Sequence, residues 1–230
     1  MSAGIIKTKK DCHVPRNKPL PKALTVANIM NQSVKRIAFT GDWFQAFRQP
    51  QDKGVWLVHG GSGSGKSTFI LQLAKALAHL EYHTFLNLCE EETDDTDFMD
   101  RVQMCQMSDV SERFLARSYT HDELIEYLDR RSSPKVVIID SATYFFKDFD
   151  QYMAFKKRYK TKIIIITAHA RGVNPKEELE TRIMFDAKMK IFINGYLALC
   201  KGRTIGPNGG RYIIWDEGYN NLQGKQQKTQ

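Results

Sequence analysis

Short apolar runs alternate with segments of helical periodicity along the middle of the chain. Residues 55–58, 83–88, 136–139 and 163–166 are brief, mostly apolar runs, which are typical of strands buried on both faces of a parallel sheet. A helix is predicted after the first run, where apolar residues recur at helical spacing as Ile70, Leu73, Ala74, Leu77 and Leu80. A further helix is predicted over residues 121–130. Strands that alternate with helices indicate βαβ units in a doubly wound α/β sheet.

The end of the chain has a different pattern. Residues 189–193, 196–200 and 211–215 are predicted to be strands joined by tight turns, one of them Asn194-Gly195. We expect these strands to extend the mostly parallel sheet by antiparallel pairing. The predicted fold class is therefore α/β, with helices on both faces of the sheet and antiparallel C-terminal strands.

The N-terminal segment lacks this regularity. Residues 1–20 contain two prolines and no apolar period, so we expect them to be flexible, whereas residues 22–32 are compatible with a short amphipathic helix. The face of that helix would carry Ala23, Val26, Ala27 and Met30. The predicted organisation is an arm and short helix over residues 1–37, one α/β domain over 38–218, and a polar tail over 219–230.

Length and cysteine content narrow the class of protein. The 230 residues suit one large domain, and no apolar run approaches the roughly 20 residues of a membrane span. No apolar segment of the kind found in secretory signals follows the N-terminal lysines. The four cysteines are scattered without zinc-ligand spacing. These features predict a cytoplasmic protein with reduced thiols and no membrane partner.

The formal net charge of +8 makes a polyanionic partner plausible. One group of cations lies in the N-terminal arm, at Lys7, Lys9, Lys10, Arg16, Lys18 and Lys22. A second group, residues 156–162, is interleaved with Tyr152, Phe155 and Tyr159. Nucleic acid would be attracted to such patches through its phosphates. The alternative is a solubilising arm and the solvated face of a helix.

A phosphate-binding motif lies between the first predicted strand and the first long helix. It comprises Gly60, Gly61, Ser62, Gly63, Ser64, Gly65, Lys66, Ser67 and Thr68. This is the complete P-loop pattern in the structural context that it requires. Glycines let backbone N–H groups surround phosphate at the positive end of a helix. Lys66 would reach the outer phosphates, and Ser67 would ligate Mg²⁺. The alternative of a flexible Gly/Ser linker does not explain the flanking strand and helix.

Asp140 is the candidate partner for the magnesium ion. It ends the apolar run 136–139, where a carboxylate can bind Mg²⁺ through water. The alternative is that Asp140, or Ser141 beside it, caps the following turn.

Three further segments resemble RecA-like ATPases, in particular the group of RadA (Sms), DnaB-type helicases and KaiC. Residues 85–91 are similar to the strand that ends in the catalytic glutamate of that family, which implies that Glu90 is the general base and Glu91 the second choice. Residues 163–169 resemble the strand before the γ-phosphate sensor, which implies that role for His169. Carboxylates that simply begin an acidic helix, and a solvated histidine, are the respective alternatives.

The third segment is similar to the K-x-R element of the same proteins. Lys201 and Arg203 occupy its two basic positions, and the resemblance implies that they contact the γ-phosphate held by a neighbouring subunit, as an arginine finger does. A basic edge hairpin is the alternative. The resemblance covers roughly residues 41–218 and does not include the DnaB-type N-terminal domain or the RadA zinc finger. It therefore leaves helicase and strand-exchange activity open.

Together these features predict an ATP- and Mg²⁺-dependent RecA-like P-loop ATPase that forms a homo-oligomer and associates with single-stranded DNA. A KaiC-like regulatory or scaffold ATPase that acts on a protein partner is the alternative. A small-molecule kinase is a third possibility, although no arginine-rich lid follows the P-loop helix.

Overall fold

The structure, a computed structural model, describes residues 21–227. The basic arm and Cys12 lie outside these residues, as do the last three residues of the tail. The chain forms two compact units, Met1–Val34 and Lys35–Gln230. In the described part of the first unit, helix α1 spans Val26–Met30 and has no buried residue. The helix is thus shorter than residues 22–32, and its apolar side chains are exposed.

The second unit is built on one mixed sheet. Its strands are β1 (Gly54–Gly60), β2 (Thr84–Leu88), β3 (Phe114–Arg117), β4 (Val136–Asp140), β5 (Ile163–Arg171), β6 (Asn174–Pro175), β7 (Met189–Asn194), β8 (Leu197–Gly202) and β9 (Gly210–Ile213). The order across the sheet is β3-β2-β4-β5-β1-β7-β8-β9, and β6 pairs with the end of β5. Strands β3 to β7 in this order are mutually parallel, whereas β8 and β9 are antiparallel. The predicted fold class is confirmed.

Helices cover both faces of the sheet. They are α2 (Gly41–Phe47), α3 (Lys66–His79), α4 (Thr96–Met104), α5 (His121–Leu128), α6 (Ala142–Phe145), α7 (Phe149–Arg158), α8 (Glu178–Asp186) and α9 (Asp216–Gln227), with a 3₁₀ turn at Met107–Val110. Helices α2, α3 and α4 contribute to the apolar core on one face, and α5 to α8 contribute to the core on the other. Helix α9 occupies most of the segment expected to be a polar tail.

Alternation along each buried strand supplies both cores. In β5, Ile163 and Ile165 pack into one core, while Ile164 and Ile166 pack into the other. Each fully buried isoleucine stabilises the fold by about 1.5–3 kcal/mol relative to an exposed one. A strand that is apolar at every position is therefore central in the sheet, and its polar continuation emerges at the carboxyl edge, beside the P-loop.

Two other features concern the length of the helices and the state of the cysteines. No helix in the described range 21–227 has the length and apolar character needed to cross a bilayer. Cys89, Cys105 and Cys200 are free thiols.

Candidate functional site

The P-loop connects the end of β1 to the start of α3. Strand β1 ends at Gly60, and α3 begins at Lys66. Gly65 has φ +102°, a left-handed conformation that favours glycine. At Gly60, a Cβ atom would lie 2.4 Å from the carbonyl oxygen of Ile193 on β7. Glycine is required at both positions, because one needs a rare dihedral angle and the other a close approach of backbones.

The loop holds its own lysine. Nζ of Lys66 donates hydrogen bonds to the carbonyl oxygens of Gly60 (3.1 Å) and Gly61 (2.9 Å). Burial lowers the pKa of Lys66, and the nearby carboxylates of Asp140, Glu90 and Glu180 oppose that shift. The amine therefore lies against the backbone of the P-loop. The N–H groups in the first turn of α3, which follows the loop, have no carbonyl partners within the helix.

A polar atom inside the loop also lacks a partner. Among the described residues, nothing accepts from or donates to the buried Oγ of Ser64. Ser64 does not line the cavity between the P-loop and the strand ends. The backbone N–H groups of the loop, rather than this hydroxyl, fit an oxyanion-rich ligand.

The carboxyl ends of the parallel strands bring the other candidates to the same edge. Gly60 of β1 is in register with His169 of β5, and Leu88 of β2 with Asp140 of β4. A cavity of about 250 Å³ is lined by Ser62, Gly63, Lys66, Ser67, Glu90, Glu91, Arg101, Asp140, Ser141, Thr167, Ala168 and His169. The strand that ends at Asp140 is not adjacent to β1, because β5 lies between β4 and β1.

Asp140 is held by the inserted strand. The hydroxyl of Thr167 on β5 donates a hydrogen bond to Oδ1 of Asp140. Burial raises the pKa of this carboxyl group, which the Thr167 hydrogen bond opposes. A cation in the cavity would favour the charged form. Ser67 lines the same cavity, so the two predicted Mg²⁺ ligands are brought together, and both offer oxygen atoms of the kind that Mg²⁺ prefers.

Glu90 is fixed by two side chains from different strands. The Ser141 hydroxyl donates to its Oε1 at 2.6 Å, and Nε2 of His169 lies 3.0 Å from the same oxygen. Glu90 lies in the turn after β2, and α4 begins only at Thr96. The alternative that this acidic stretch simply begins a helix is therefore wrong. Ser141 precedes α6 without capping it, because its hydroxyl is directed to Glu90.

Glu91 has a different environment. Its Oε2 is bound by Nη2 of Arg101 from α4, so this carboxylate is ion-paired. Within the described residues, no lysine or arginine pairs with Glu90, which is bonded to Ser141 and His169 instead. The geometry favours Glu90 over Glu91 as a base.

The fold is similar to those of several known proteins, although the sequence is not. By sequence, the chain matches no protein-family model and no curated protein. By structure, it is similar to the flagellar accessory protein FlaH from Methanocaldococcus jannaschii, with a TM-score of 0.57 and 19% identity over 78% of this chain and 93% of that one. It is also similar to a KaiC-like protein from Pyrococcus horikoshii OT3, with a TM-score of 0.57 and 18% identity over 78% of this chain and 100% of that one.

The chain has the RecA-like P-loop fold. The order of its strands, with β5 and β4 beside β1, and its antiparallel C-terminal strands agree with that assignment.

The RecA-like core does not bring Lys201 and Arg203 to its own phosphate cavity. Lys201 of β8 pairs with Lys190 of β7, which pairs with Leu57 of β1. Lys201 is thus level with Leu57, which lies about 10 Å before Gly60 along β1. Arg203 lies beyond the end of β8. Within one chain, these two cations face away from the P-loop end of the sheet.

Lys201 and Arg203 instead belong to a basic cleft of about 770 Å³. Its cations are Lys53, Lys188, Lys190, Lys201 and Arg203. Asp186 also lines this cleft, but it is bound by Lys156 and Tyr152. Burial lowers the pKa of Lys188, and the surrounding cations lower it further. An anionic occupant would relieve this repulsion.

The second basic group of the sequence, residues 156–162, makes most of its contacts within the RecA-like core. Tyr152, Phe155 and Tyr159 are buried in the apolar core, so their rings cannot stack on nucleobases. Lys156 pairs with Asp186, Arg158 pairs with Asp129, and Lys162 donates to the Pro134 carbonyl at 2.6 Å. The aromatic residues therefore give no support to a nucleic-acid patch here, and the alternative, the solvated face of a helix, agrees with the position of the cations on α7. Binding of nucleic acid by the exposed cations of this segment stays a prediction.

Three polar residues of the cavity were not assigned to the phosphate site from the sequence. Ser141 and Thr167 each adjoin a predicted strand end, next to Asp140 and the 163–166 run, and polar residues at such positions are a usable signal. Arg101 comes from α4, which returns to the cavity after an irregular segment. No spacing rule predicts that return.

Proposed function

We propose that the chain binds magnesium-complexed ATP and hydrolyses it, and that it does so as a homo-oligomer. The observation that carries this proposal is the convergence of three parts on one cavity. These parts are the P-loop lysine, a buried carboxylate at Asp140, and a second carboxylate, Glu90, fixed by Ser141 and His169. The preference for adenine follows from the family resemblance.

Nucleotide binding uses the loop itself. The backbone of residues 60–68 surrounds the phosphates at the positive end of α3, and Lys66 exchanges its two carbonyl partners for phosphate oxygens. Ser67 and Asp140 hold Mg²⁺, which supplies charge neutralisation at the outer phosphates. Thr167 keeps the Asp140 carboxylate oriented toward the cavity.

Hydrolysis uses Glu90 as the general base. A carboxylate at a strand end beside the terminal phosphate can accept a proton from an attacking water. Ser141 and His169 bind one oxygen of Glu90, and the second oxygen has no partner among the described side chains. His169 is placed to respond to the terminal phosphate, because its ring bridges β5 and Glu90.

The cations Lys201 and Arg203 act on a neighbouring subunit. They lie away from their own P-loop, in a cleft whose positive charge favours the binding of an anion. A phosphate chain presented by the next copy would fill that need, and cations there stabilise the negative charge of the transition state. Assembly is therefore required for full turnover.

We further propose that the protein associates with single-stranded DNA through its basic N-terminal arm. The support is the net charge of +8 and the cluster of cations in residues 7–22. The regulatory ATPase with a protein partner is the second candidate. It is favoured by the burial of Tyr152, Phe155 and Tyr159, which removes the aromatic support for one of the two predicted nucleic-acid patches.

The test is ATP turnover as a function of protein concentration, with and without single-stranded DNA. We expect specific activity to rise with concentration and with DNA, and Lys66→Ala to abolish nucleotide binding. Deletion of residues 1–20 should remove DNA stimulation but leave basal turnover. Turnover that ignores DNA at moderate salt would support the regulatory candidate, and a lack of saturable MgATP binding would end the proposal.

A further inference from the structure

Arg101 is a cation of the phosphate cavity that has no role in the function proposed above. It projects from α4 and lines the cavity together with Lys66, Ser67 and Asp140. Its Nη2 binds Glu91. Its Nε is buried and has no hydrogen-bond partner among the described residues.

A guanidinium group in this state still has a free hydrogen-bond donor. It stays charged at any pH that a protein experiences, and its planar fork suits two oxygens of a carboxylate or a phosphate. Buried donors are almost always paired, so a buried Nε without an acceptor indicates a missing ligand. The cavity that it lines is the one where the phosphates would lie.

The position of Arg101 is well fixed. Phe98, three residues earlier on the same helical face, is buried in the core. The end of α4 is tied to the P-loop helix α3, because Nζ of Lys75 donates to the carbonyl oxygens of Cys105 (3.1 Å) and Gln106 (2.9 Å). Helix α4 therefore presents Arg101 from a support that is attached to the P-loop helix.

We propose that Arg101 binds the terminal phosphate of the nucleotide from within the same chain, with Glu91 as its positioning residue. The terminal phosphate is the one concerned because Glu91, which holds Arg101, directly follows Glu90, the base that faces that phosphate. This inference rests on the proposed ATP site. It adds a cation that, unlike Lys201 and Arg203, does not depend on assembly.

The experiment compares the dissociation constants of a non-hydrolysable MgATP analogue and of MgADP. In the full chain, Arg101→Gln should weaken binding of the ATP analogue about tenfold, the effect of losing a charged phosphate contact, but change ADP binding less than about twofold. Arg101→Lys keeps the charge but loses the fork, so it should cause a smaller loss that is again selective for the triphosphate.

Arg113→Gln is the matched control. Arg113 also pairs with a glutamate, Glu81, but neither residue lines the cavity, so both dissociation constants should stay unchanged. Glu91→Gln should reproduce part of the Arg101→Gln effect, because it releases the guanidinium.

Equal weakening of both nucleotides by Arg101→Gln, or no weakening at all, would overturn the inference and leave Arg101 a structural ion-pair partner. If Arg101→Gln does not fold, Arg101→Lys decides by the same comparison. A wild-type protein that binds neither nucleotide contradicts the ATP site itself, whereas one that binds both without an Arg101 effect contradicts only this inference.

Discussion

The hydroxyl of Ser141 donates a 2.6 Å hydrogen bond to the carboxylate of Glu90, although the two residues follow different strands. Ser141 directly follows β4, and Glu90 follows β2, so the contact depends on the parallel pairing of these two strands. From the next strand beyond β4, His169 of β5 reaches the same oxygen. Three strand ends thus fix one carboxylate at the mouth of the cavity.

Replacement of that carboxylate should separate binding from chemistry. In Glu90→Gln, the amide keeps the size and the contacts of the side chain but accepts a proton poorly. We expect ATP to bind with little change and turnover to fall by about 10²–10⁴-fold. Nucleotide binding and phosphate release, measured on the same preparation, check this outcome.

Glu91→Gln is the matched control for that experiment, because it makes the same chemical change one residue later. Since Glu91 positions Arg101 and is not the base, its replacement should weaken binding of ATP but, at saturating ATP, lower turnover far less than Glu90→Gln does. The assignment of the base would have to be reversed if Glu91→Gln were the more impaired variant.

Mixed assemblies should reveal whether sites are shared between subunits. Arg203→Ala should bind nucleotide but lose turnover, by about 10³-fold if it acts as an arginine finger. Mixing it with Glu90→Gln creates interfaces that combine an intact P-loop side with an intact Arg203, so activity should partly return. The measurement is turnover against mixing ratio, and a flat, inactive curve would argue for sites that are complete within one chain.

The buried carboxyl group of Asp140 should destabilise the nucleotide-free fold, although the proposed binding of Mg²⁺ requires it. Burial raises its pKa, which means that its charged form is disfavoured in the folded protein without a cation. Asp140→Asn keeps the shape and can still accept from Thr167. We expect the free energy of unfolding of the nucleotide-free variant to rise by roughly 1 kcal/mol, so that it unfolds at a higher temperature. We also expect the variant to lose magnesium-dependent turnover. Thermal melts and activity assays with and without Mg²⁺ test both halves.

His59 should make the protein sensitive to mild acid. Burial lowers its pKa from 6.5 to about 4, so at pH values between these limits the unfolded chain binds more protons than the folded one. Stability is therefore complete above pH 6.5 and is lost as the pH falls toward 4. From pH 7.5 to pH 5, this group should remove about 2 kcal/mol of unfolding free energy.

The comparison variant for that prediction is His59→Leu, which cannot titrate. Denaturant melts of both proteins at pH 7.5 and pH 5 give the difference. If wild type and His59→Leu lose the same stability between these values, His59 is not the group that responds to acid.

Much of the core was predictable because buried parallel strands carry their own signal. The run from Ile163 to Ile166 is apolar at every position, and the structure places it in the middle of the sheet. Strand β3 was not predicted, because it has only four residues, of which two are half-buried and two are exposed. The order of the strands was not predictable either, so the insertion of β5 between Asp140 and the P-loop appears only in three dimensions.

The basic segment after Asp148 shows how charge can mislead. Tyr152, Phe155 and Tyr159 recur at helical spacing, which is the pattern of a buried face. The neighbouring cations suggested a nucleic-acid surface, but the carboxylates that pair with them, Asp129 and Asp186, lie far away in sequence. Pairing across the fold is invisible to local composition.

The strand register has a consequence for how copies can meet. The phosphate cavity opens at the carboxyl end of β1, whereas the basic cleft lies toward the other end of the same strand. Two chains that join these regions cannot be related by a two-fold axis through a single contact, because the paired surfaces differ. Such copies stack in one direction, and they either close into a ring or grow as a polar helix with unlike ends.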